Sequence, residues 1–316
     1  MNLKSFDIVI VNWNSGIQLK DCIDSINESI QSNCTLNKII VVDNFSIDNS
    51  LNLLDSNQEN LIIIKNQENY GFGKACNIGE KYSESNFILF LNPDMLIYKD
   101  TFLNLFDYIQ ENDTADIAVY GIQLFDEIGN IQRSCARLPS PWNMAVRSTG
   151  LNKLNKNIFK TYAMDNWSHK QTKKIDHVMG AFYLIKRNIF NNISGFDERY
   201  FVYIEDLDLS KRIMDNGYKS VYVTESQAYH KGGGTSENVK AKRLFYSTRS
   251  RIIYGFKYFK LIQASYLLIL TFTVEPFTRI IFLLLKRKYS EILETLKGFG
   301  MLYKDTFNII KLGLRK

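Results

Sequence analysis

Three acidic clusters that are far apart along the chain are the first candidates for chemistry. Asp43, Asp94 and the Glu205-Asp206 pair with nearby Asp208 each stand at the end of an apolar run or at a loop–helix junction. Gathered at one edge, such groups repel unless a cation lies among them. Hard oxygen donors suit magnesium or manganese, and such an ion stabilises a diphosphate as it leaves. "NPD" (Asn92, Pro93, Asp94) follows "FILFL" directly, which holds Asp94 at a strand terminus. Taken alone, the same triplet describes a turn or a helix cap. In "YFVYIEDLDLS" one of two adjacent carboxylates can orient while the other acts as a base, and Tyr200, Phe201 and Tyr203 beside them suit a sugar face. His230 precedes "KGGG", whose glycines let a phosphate or sugar approach the backbone. His169 and His177 have no comparable setting and receive no role. "YGFGKACN" (Tyr70 to Asn77) lacks the third glycine of a dinucleotide fingerprint and follows the third apolar run, not the first. It better fits a helix N-terminus beside an anionic ligand, with Lys74 available for phosphate.

These residues need elements to position them. Phe6 to Val11, Lys38 to Asp43, Leu61 to Lys65 and Asn86 to Asn92 are short Ile/Val/Leu/Phe runs, and segments long enough for helices lie between them. The alternation predicts a doubly wound α/β sheet with right-handed crossovers. Ligands bind such sheets at the carboxyl ends of strands, where Asn12 and Asn14, Asp43 and Asn44, and Asn92 and Asp94 follow three of the runs. Further along, "VYGIQLFDEIGNIQR" predicts two strands around Gly129-Asn130, and residues 139–174 read as a loop excursion. "IDHVMGAFYLIKR" reads as one buried strand, and "YIEDLDLSKRIMDNG" as a helix stopped by Gly217.

Composition narrows the class. With 316 residues, 45% apolar and only 4 Pro, the chain is neither disordered nor collagen-like and has material for a full core. Its 4 cysteines show no CxxC spacing, which argues against a disulfide scaffold or a zinc finger. "MNLKSFDIVIVNWNS" lacks a basic n-region and a long apolar h-region, so a reduced cytosolic setting is expected. The net charge of +6 conceals an asymmetry, +11 in residues 237–316 against −5 in the rest. A basic, aromatic helical stretch runs from Val239 to Phe259. Leu261 to Val274 is then uncharged for 14 residues, short of the roughly 18 that span a bilayer. Glu275, Pro276 and Arg279 interrupt the apolar character before Ile280 to Leu285, and Lys286, Arg287 and Lys288 close it. This predicts a catalytic region, 1–236, and a helical tail, 237–316, lying in a membrane interface with cations at the headgroups. A hairpin packed on the enzyme body or on a second subunit of a homo-oligomer is the alternative. Nucleic-acid binding is disfavoured, because the basic residues flank apolar runs and do not line an aromatic platform.

Seven segments in order carry a family resemblance: "DIVIVNWNS", "VVDNFSIDNS", "NYGFGKACNIG", "LFLNPD", "VMGAFYLIKR", "GFDERYFVYIEDLDLSKR" and "ESQAYHKGGGTS". Together they resemble family-2 inverting glycosyltransferases of the GT-A fold, in the rhamnosyltransferase-like branch that works on lipid-linked glycans, over about residues 6–257. The resemblance implies a Rossmann-like mixed α/β sheet flanked by helices. It also implies a nucleotide-diphosphate sugar donor, a divalent cation (Mg2+ or Mn2+), and a glycan or lipid-linked acceptor at the cytoplasmic face of the bacterial inner membrane. By position, Asn12, Asn14, Asp43, Lys74, Asn77, Asn92, Asp94, Gly180 and Ala181 would bind the donor, with Asp43 on the pyrimidine base and Gly180 and Ala181 near the sugar. Asp94 and His230 would be metal ligands, Asp206 the catalytic base and Glu205 its neighbour in the acceptor site. Arg249, Arg251 and Lys257 would meet a lipid diphosphate or headgroups. Asn92 stands where many relatives have Asp, which removes one negative charge from the metal site. A noncatalytic binding module of the same fold is the competing expectation, although it would have no need of a base. A nucleotidyltransferase would want a glycine-rich basic loop after the first strand, and "VNWNSG" is a poor one.

Overall fold

The computed structural model describes residues 5–30, 34–55, 57–164, 166–232 and 239–315. The chain divides into two compact units. The first comprises residues 1–136, 167–198 and 206–235, and the second residues 137–166, 199–205 and 236–316. The single boundary expected at residue 236 is therefore one of five points at which the chain passes between the units. The reason is apolar: Met144 and Tyr200 are buried in one core with Phe245, Ile252 and Leu267.

The first unit opens with β1 (Ser5–Asn12), α1 (Ile17–Ser29), β2 (Thr35–Asp43), β3 (Leu61–Lys65), α2 (Phe72–Glu80), β4 (Phe87–Leu91), β5 (Met95–Ile97), α3 (Thr101–Asn112) and β6 (Ile117–Phe125). Buried Leu19, Cys22, Ile23 and Ile26 on α1, and Phe102, Leu105, Phe106 and Ile109 on α3, recur at helical spacing. They cover a sheet whose β1 and β4 residues are nearly all buried. Phe6 packs its ring 4.9 Å and 5.0 Å from those of Phe102 and Phe106. Truncating a phenylalanine at such a position costs about 3–5 kcal/mol. Helix α2 lies close to β1, since a Cβ on Gly79 would come within 2.5 Å of Val9 Cγ1.

After β7 (Cys135–Ala136), the expected excursion at 139–174 contains a helix, α4 (Pro141–Thr149), which belongs to the second unit. Ser140 caps it reciprocally with Asn143, Pro141 opens it, and Gly150 at φ 75° ends it. The one strand expected over "IDHVMGAFYLIKR" is two, β9 (His177–Val178) and β10 (Phe182–Lys186), after β8 (Lys173–Ile175). Then come α5 (Arg187–Asn192), α6 (Glu205–Asp215) and β11 (Lys219–His230).

The main sheet runs β3-β2-β1-β4-β10-β6-β11-β5, with β8 also on β11. β1 to β4 pair in parallel, β10 lies antiparallel between β4 and β6, and β11 is parallel to β6. The sheet is thus mixed. The carboxyl ends of β1, β2, β4, β6 and β11 all reach one edge, and the antiparallel β10 places its start there too, with Phe182 opposite Leu91. β7 and β9 form a separate two-stranded piece.

In the second unit α7 (Lys240–Tyr258) is followed by α8 (Leu261–Thr273), α9 (Glu275–Leu285), α10 (Ser290–Lys304) and α11 (Thr306–Leu314). Ile252, Ile253 and Tyr254 of α7 share a core with Phe299, Leu302 and Ile309. Among the described residues no disulfide joins the cysteines, all four of which are buried. No single helix there is long and apolar enough to cross a membrane, although α8 and α9, bent by 41°, pass a length and composition test as a pair.

Candidate active site

The parallel register puts Asn12 beside Asp43 at the sheet edge. Asn12 Nδ2 donates to Asp43 Oδ1 at 2.8 Å and to the hydroxyls of Ser50 and Ser46 at 2.8 and 3.1 Å. The second Asp43 oxygen accepts the Ser46 amide at 3.2 Å. Asn12 Oδ1 is buried and meets no hydrogen-bond donor. A buried acceptor without a donor costs about 1–3 kcal/mol, so this small polar cluster is suited to a ligand that brings one. Asn14, at φ 52°, accepts the Ile47 amide on Oδ1 and gives its own N–H to Ser46 Oγ. It shapes the cluster's loop. Asn44, next to Asp43, clamps the approach to α2, taking the Tyr70 N–H at 3.0 Å and donating to Gly71 O at 3.0 Å. On α2, the Lys74 ammonium lies 4.3 Å from the centre of the Tyr70 ring. Asn77 does not face a ligand: its amide donates to Phe196 O and Glu198 and accepts the Phe196 N–H, bracing the loop after α5.

A second group forms where β5 pairs with β11. Antiparallel register sets Met95 opposite His230, and Lys231 N–H donates to Asp94 O at 3.1 Å. Asp94 Oδ1 and His230 Nε2 come to 3.5 Å, with both side chains largely buried. Gln132 fixes the imidazole, donating from Nε2 to His230 O at 2.6 Å and placing Oε1 2.8 Å from Nδ1. A carbonyl oxygen only accepts, so the amide orientation is determined and His230 Nδ1 donates to Gln132 Oε1. Nε2 is then the nitrogen turned towards Asp94 and the one left to meet a metal. Of the three glycines after His230, only Gly232 lies among the described residues, at φ 72°. Among those residues no group of three or more His, Cys, Asp or Glu side chains gathers to hold a metal.

The third group is Asp206, in the first turn of α6. Its Oδ2 accepts Gly180 N–H at 2.9 Å and its Oδ1 accepts Leu207 N–H at 2.8 Å. These donors fix the orientation of the carboxyl group at the start of the helix. Residue 180 has to be small, because a Cβ there would lie 3.2 Å from Asp206 Oδ2. His177 Nε2 lies 3.7 Å from the same oxygen and its Nδ1 is 3.0 Å from Ser210 Oγ. Burial holds the His177 imidazole below its usual pKa, against the charges of Asp206 and Asp176. Asp208, grouped with Asp206 in the sequence, is buried and paired with Arg212 at 2.8 Å, whose guanidinium also ties Ile193 O and Gly195 O. It holds α6 in place.

These groups join through the backbone. Ala181, next to Gly180, accepts the N–H of Asn92 at 3.0 Å, two residues before Asp94. On the other side, Ser134 O accepts Met179 N–H, and Ser134 is two residues from the Gln132 that grips His230. Asp94, His230 and Asp206 are thereby held around one closed circuit of contacts. The profile described as Glycosyl transferase family 2 matches residues 7–194. The chain belongs to that family.

The profile of Glycosyl transferase family group 2 matches an overlapping stretch, residues 127–296. Among curated relatives, the N-acetylglucosaminyl-diphospho-decaprenol L-rhamnosyltransferase of Mycobacterium tuberculosis is 23% identical over 71% of this chain and 75% of its own length. Rhamnosyltransferase WbbL of Escherichia coli is 31% identical over 51% of this chain and 61% of its own. Among solved structures, S. aureus TarS 1–349 in complex with UDP-GlcNAc aligns with a TM-score of 0.54 at 18% identity, covering 94% of this chain and 80% of that one. The mannosyltransferase PcManGT of Pyrobaculum calidifontis, in complex with GDP-Man and Mn2+, gives 0.53 at 14% identity over 98% and 83%. These structures establish the GT-A fold.

The family-2 glycosyltransferase uses its tail cations differently from the expectation. Arg249 donates to Asp305 Oδ2 at 3.1 Å and to Arg199 O at 3.2 Å. Arg251 is only 4% exposed and is paired with the buried Glu275, which also holds Arg279 at 2.8 Å. Lys257 lies over the rings of Tyr258 and Tyr200. All three have partners inside the second unit: a carboxylate and a main-chain carbonyl for Arg249, a buried carboxylate for Arg251 and two aromatic rings for Lys257. Tyr200 is buried core and Phe201 stacks on Tyr246 at 4.4 Å, so neither offers a sugar face. Glu205, preceded by Tyr203 and Ile204 at φ 67° and 71°, is a buried residue of the second unit. Sequence reading missed Gln132, His177 and Ser210. Only contact across the fold gives them a role.

Proposed function

We propose that this glycosyltransferase is inverting and metal-dependent and moves a hexose from a nucleoside-diphosphate donor to a glycan or lipid-linked acceptor in cell-surface glycan synthesis. Rhamnose is the first candidate sugar, because three relatives, including the O-antigen chain rhamnosyltransferase WbaN of Salmonella anatum, carry it in their names. The observation carrying the reading is the convergence of Asp94, His230 and Asp206 on one circuit. A carboxylate oxygen beside an imidazole lone pair suits Mg2+ or Mn2+, with two protein ligands leaving the other positions to water and diphosphate oxygens. Bound there, the ion would supply charge neutralisation for the leaving diphosphate. Asp206, oriented by two backbone N–H groups, takes the proton of an acceptor hydroxyl. That oxygen bonds to the anomeric carbon from the far side, the carbon–oxygen bond to diphosphate breaks, and its electron pair leaves with the nucleotide. The Asn12–Asp43 cluster would receive the base.

A panel of UDP-, dTDP- and GDP-sugars, assayed for hydrolysis and transfer with Mg2+ or Mn2+, tests this. Turnover that requires the metal and yields an inverted product is the expected result. Binding of a nucleotide sugar without turnover under any condition would favour a noncatalytic module.

We further place the protein peripherally on the cytoplasmic face of the inner membrane, through α8 and α9. Ile262 (84% exposed), Phe277 (67%) and Leu285 (78%) are bare apolar side chains, and the basic run Lys286–Lys288 follows directly. Apolar surface next to cations fits anionic lipid. Deleting residues 261–316 is a poor test, since Leu267, Phe299 and Ile309 belong to the unit's core. Ile262→Glu with Phe277→Glu is better. The full chain should sediment with phosphatidylglycerol vesicles and the double variant should not. A dimer in solution that the double variant splits would instead assign this face to a second copy.

A further inference from the structure

We propose that His177 is a positioning residue for Asp206: hydrogen-bonded to Ser210 through Nδ1, it presents Nε2–H to Asp206 Oδ2 and keeps that carboxylate aimed. The proposal rests on the reading of Asp206 as the base.

The geometry is a buried relay. Ser210 Oγ lies between His177 Nδ1 at 3.0 Å and the Tyr183 hydroxyl at 3.2 Å, and the His177 ring bridges Ser210 to Asp206. The groups facing the imidazole are Asp206 and Ser210 on α6, with Tyr183 on β10 behind Ser210, and Asp176 beside it in the chain. Burial raises the Tyr183 hydroxyl well above its usual range, so it keeps its proton. Burial likewise keeps the imidazole neutral.

Two proton arrangements then remain. In one, Tyr183 donates to Ser210, Ser210 donates to Nδ1, and the ring proton on Nε2 faces Asp206. In the other every proton is reversed and an Nε2 lone pair faces a carboxylate. An ionised Asp206 selects the first, because a dipole pointing its positive end at an anion is favoured in a low-dielectric site. At 3.7 Å the contact is charge–dipole in character, and such contacts tighten in the reacting complex. Once Asp206 has taken the acceptor's proton the second arrangement becomes available, so the relay senses the state of the base.

The chain has three histidines, so full-length protein labelled with 15N-histidine gives a spectrum that single substitutions can assign. Long-range 1H–15N spectra should show the His177 proton on Nε2 between about pH 6 and 8. Ser210→Ala should mix the tautomers, and Asp206→Asn should change the tautomer ratio or lower the ring's titration midpoint. A proton on Nδ1, or a ring indifferent to Asp206→Asn, would overturn the proposal. Activity provides the second readout, using whichever nucleotide sugar turns over fastest in the panel. His177→Phe should move the acidic limb of kcat/KM upward by about one pH unit, roughly a tenfold loss below the limb and little above it. His177→Gln, which keeps a donor, should restore the limb. A loss equal at every pH would mean a merely structural ring. If His177→Phe does not fold, Ser210→Ala keeps both readouts, a mixed His177 tautomer and a raised acidic limb. Should Asp206→Asn retain turnover, the base reading fails alone, and the spectra still decide whether the two side chains are coupled.

Discussion

Charge is handled in opposite ways by the two compact units. In the sheet unit, Asp206 takes only backbone N–H groups and a neutral imidazole as close partners and keeps 19% of its side chain exposed. Asp94 likewise faces a histidine nitrogen, with the ring fixed by Gln132. In the helical unit two of the cations singled out from the sequence are neutralised internally, Arg249 by Asp305 and Arg251 by Glu275. A carboxylate oriented by neutral donors stays available to a proton or a cation, whereas one matched to a guanidinium becomes structure. Asp208, two residues from Asp206 and paired with Arg212, shows that the distinction lies in the partner and not in the residue type.

Breaking the contrast on the sheet side should give the largest effect. Asp206→Asn is expected to lower turnover by about 100- to 10,000-fold while donor affinity, measured by calorimetry, stays near wild type. Equal loss of both would return Asp206 to the structural class. On the helical side the loss should appear in stability. Glu275→Ala strands a buried Arg251 and is expected to cost about 3–5 kcal/mol in urea denaturation. A variant as stable as wild type would show that this ion cluster is not the lock inferred for it. Gln132→Leu sharpens the comparison, since it removes only the group that fixes the His230 tautomer. The Mn2+ concentration for half-maximal activity should rise about 10- to 100-fold, and an unchanged value would remove Gln132 from the metal site. The smallest effect concerns pH. His177 is buried neutral with a depressed pKa, so the unfolded chain binds its proton first and stability falls as pH drops below the ordinary value of 6.5. The urea midpoint should decline less between pH 7.5 and 5.5 in His177→Gln than in wild type, and identical declines would contradict this.

Much of the sheet unit could be read locally. Runs such as Phe6 to Val11 and Lys38 to Asp43 are strands, and the residues after them reach the edge, because strand burial and strand termination are both written in short apolar stretches. Helix α4 was legible too, since Ser140-Pro141 and Gly150 are ordinary start and stop signals inside a stretch read only for its polarity. The roles of Asn77 and Arg251 were not. Asn77 is used by a loop 119 residues away and Arg251 by a glutamate 24 residues on, and nothing local to either residue announces those partners.

The amino-acid sequence by itself determined the alternating α/β framework, its family, and which carboxylates and histidine stand at strand ends, because those follow from nearest-neighbour apolar patterning and residue order. Tertiary structure alone decided which of those charges remain open. An ionisable side chain's state depends on burial and on partners within a few ångströms, and the partners of Asp206, His230 and Arg251 come from other elements of the fold.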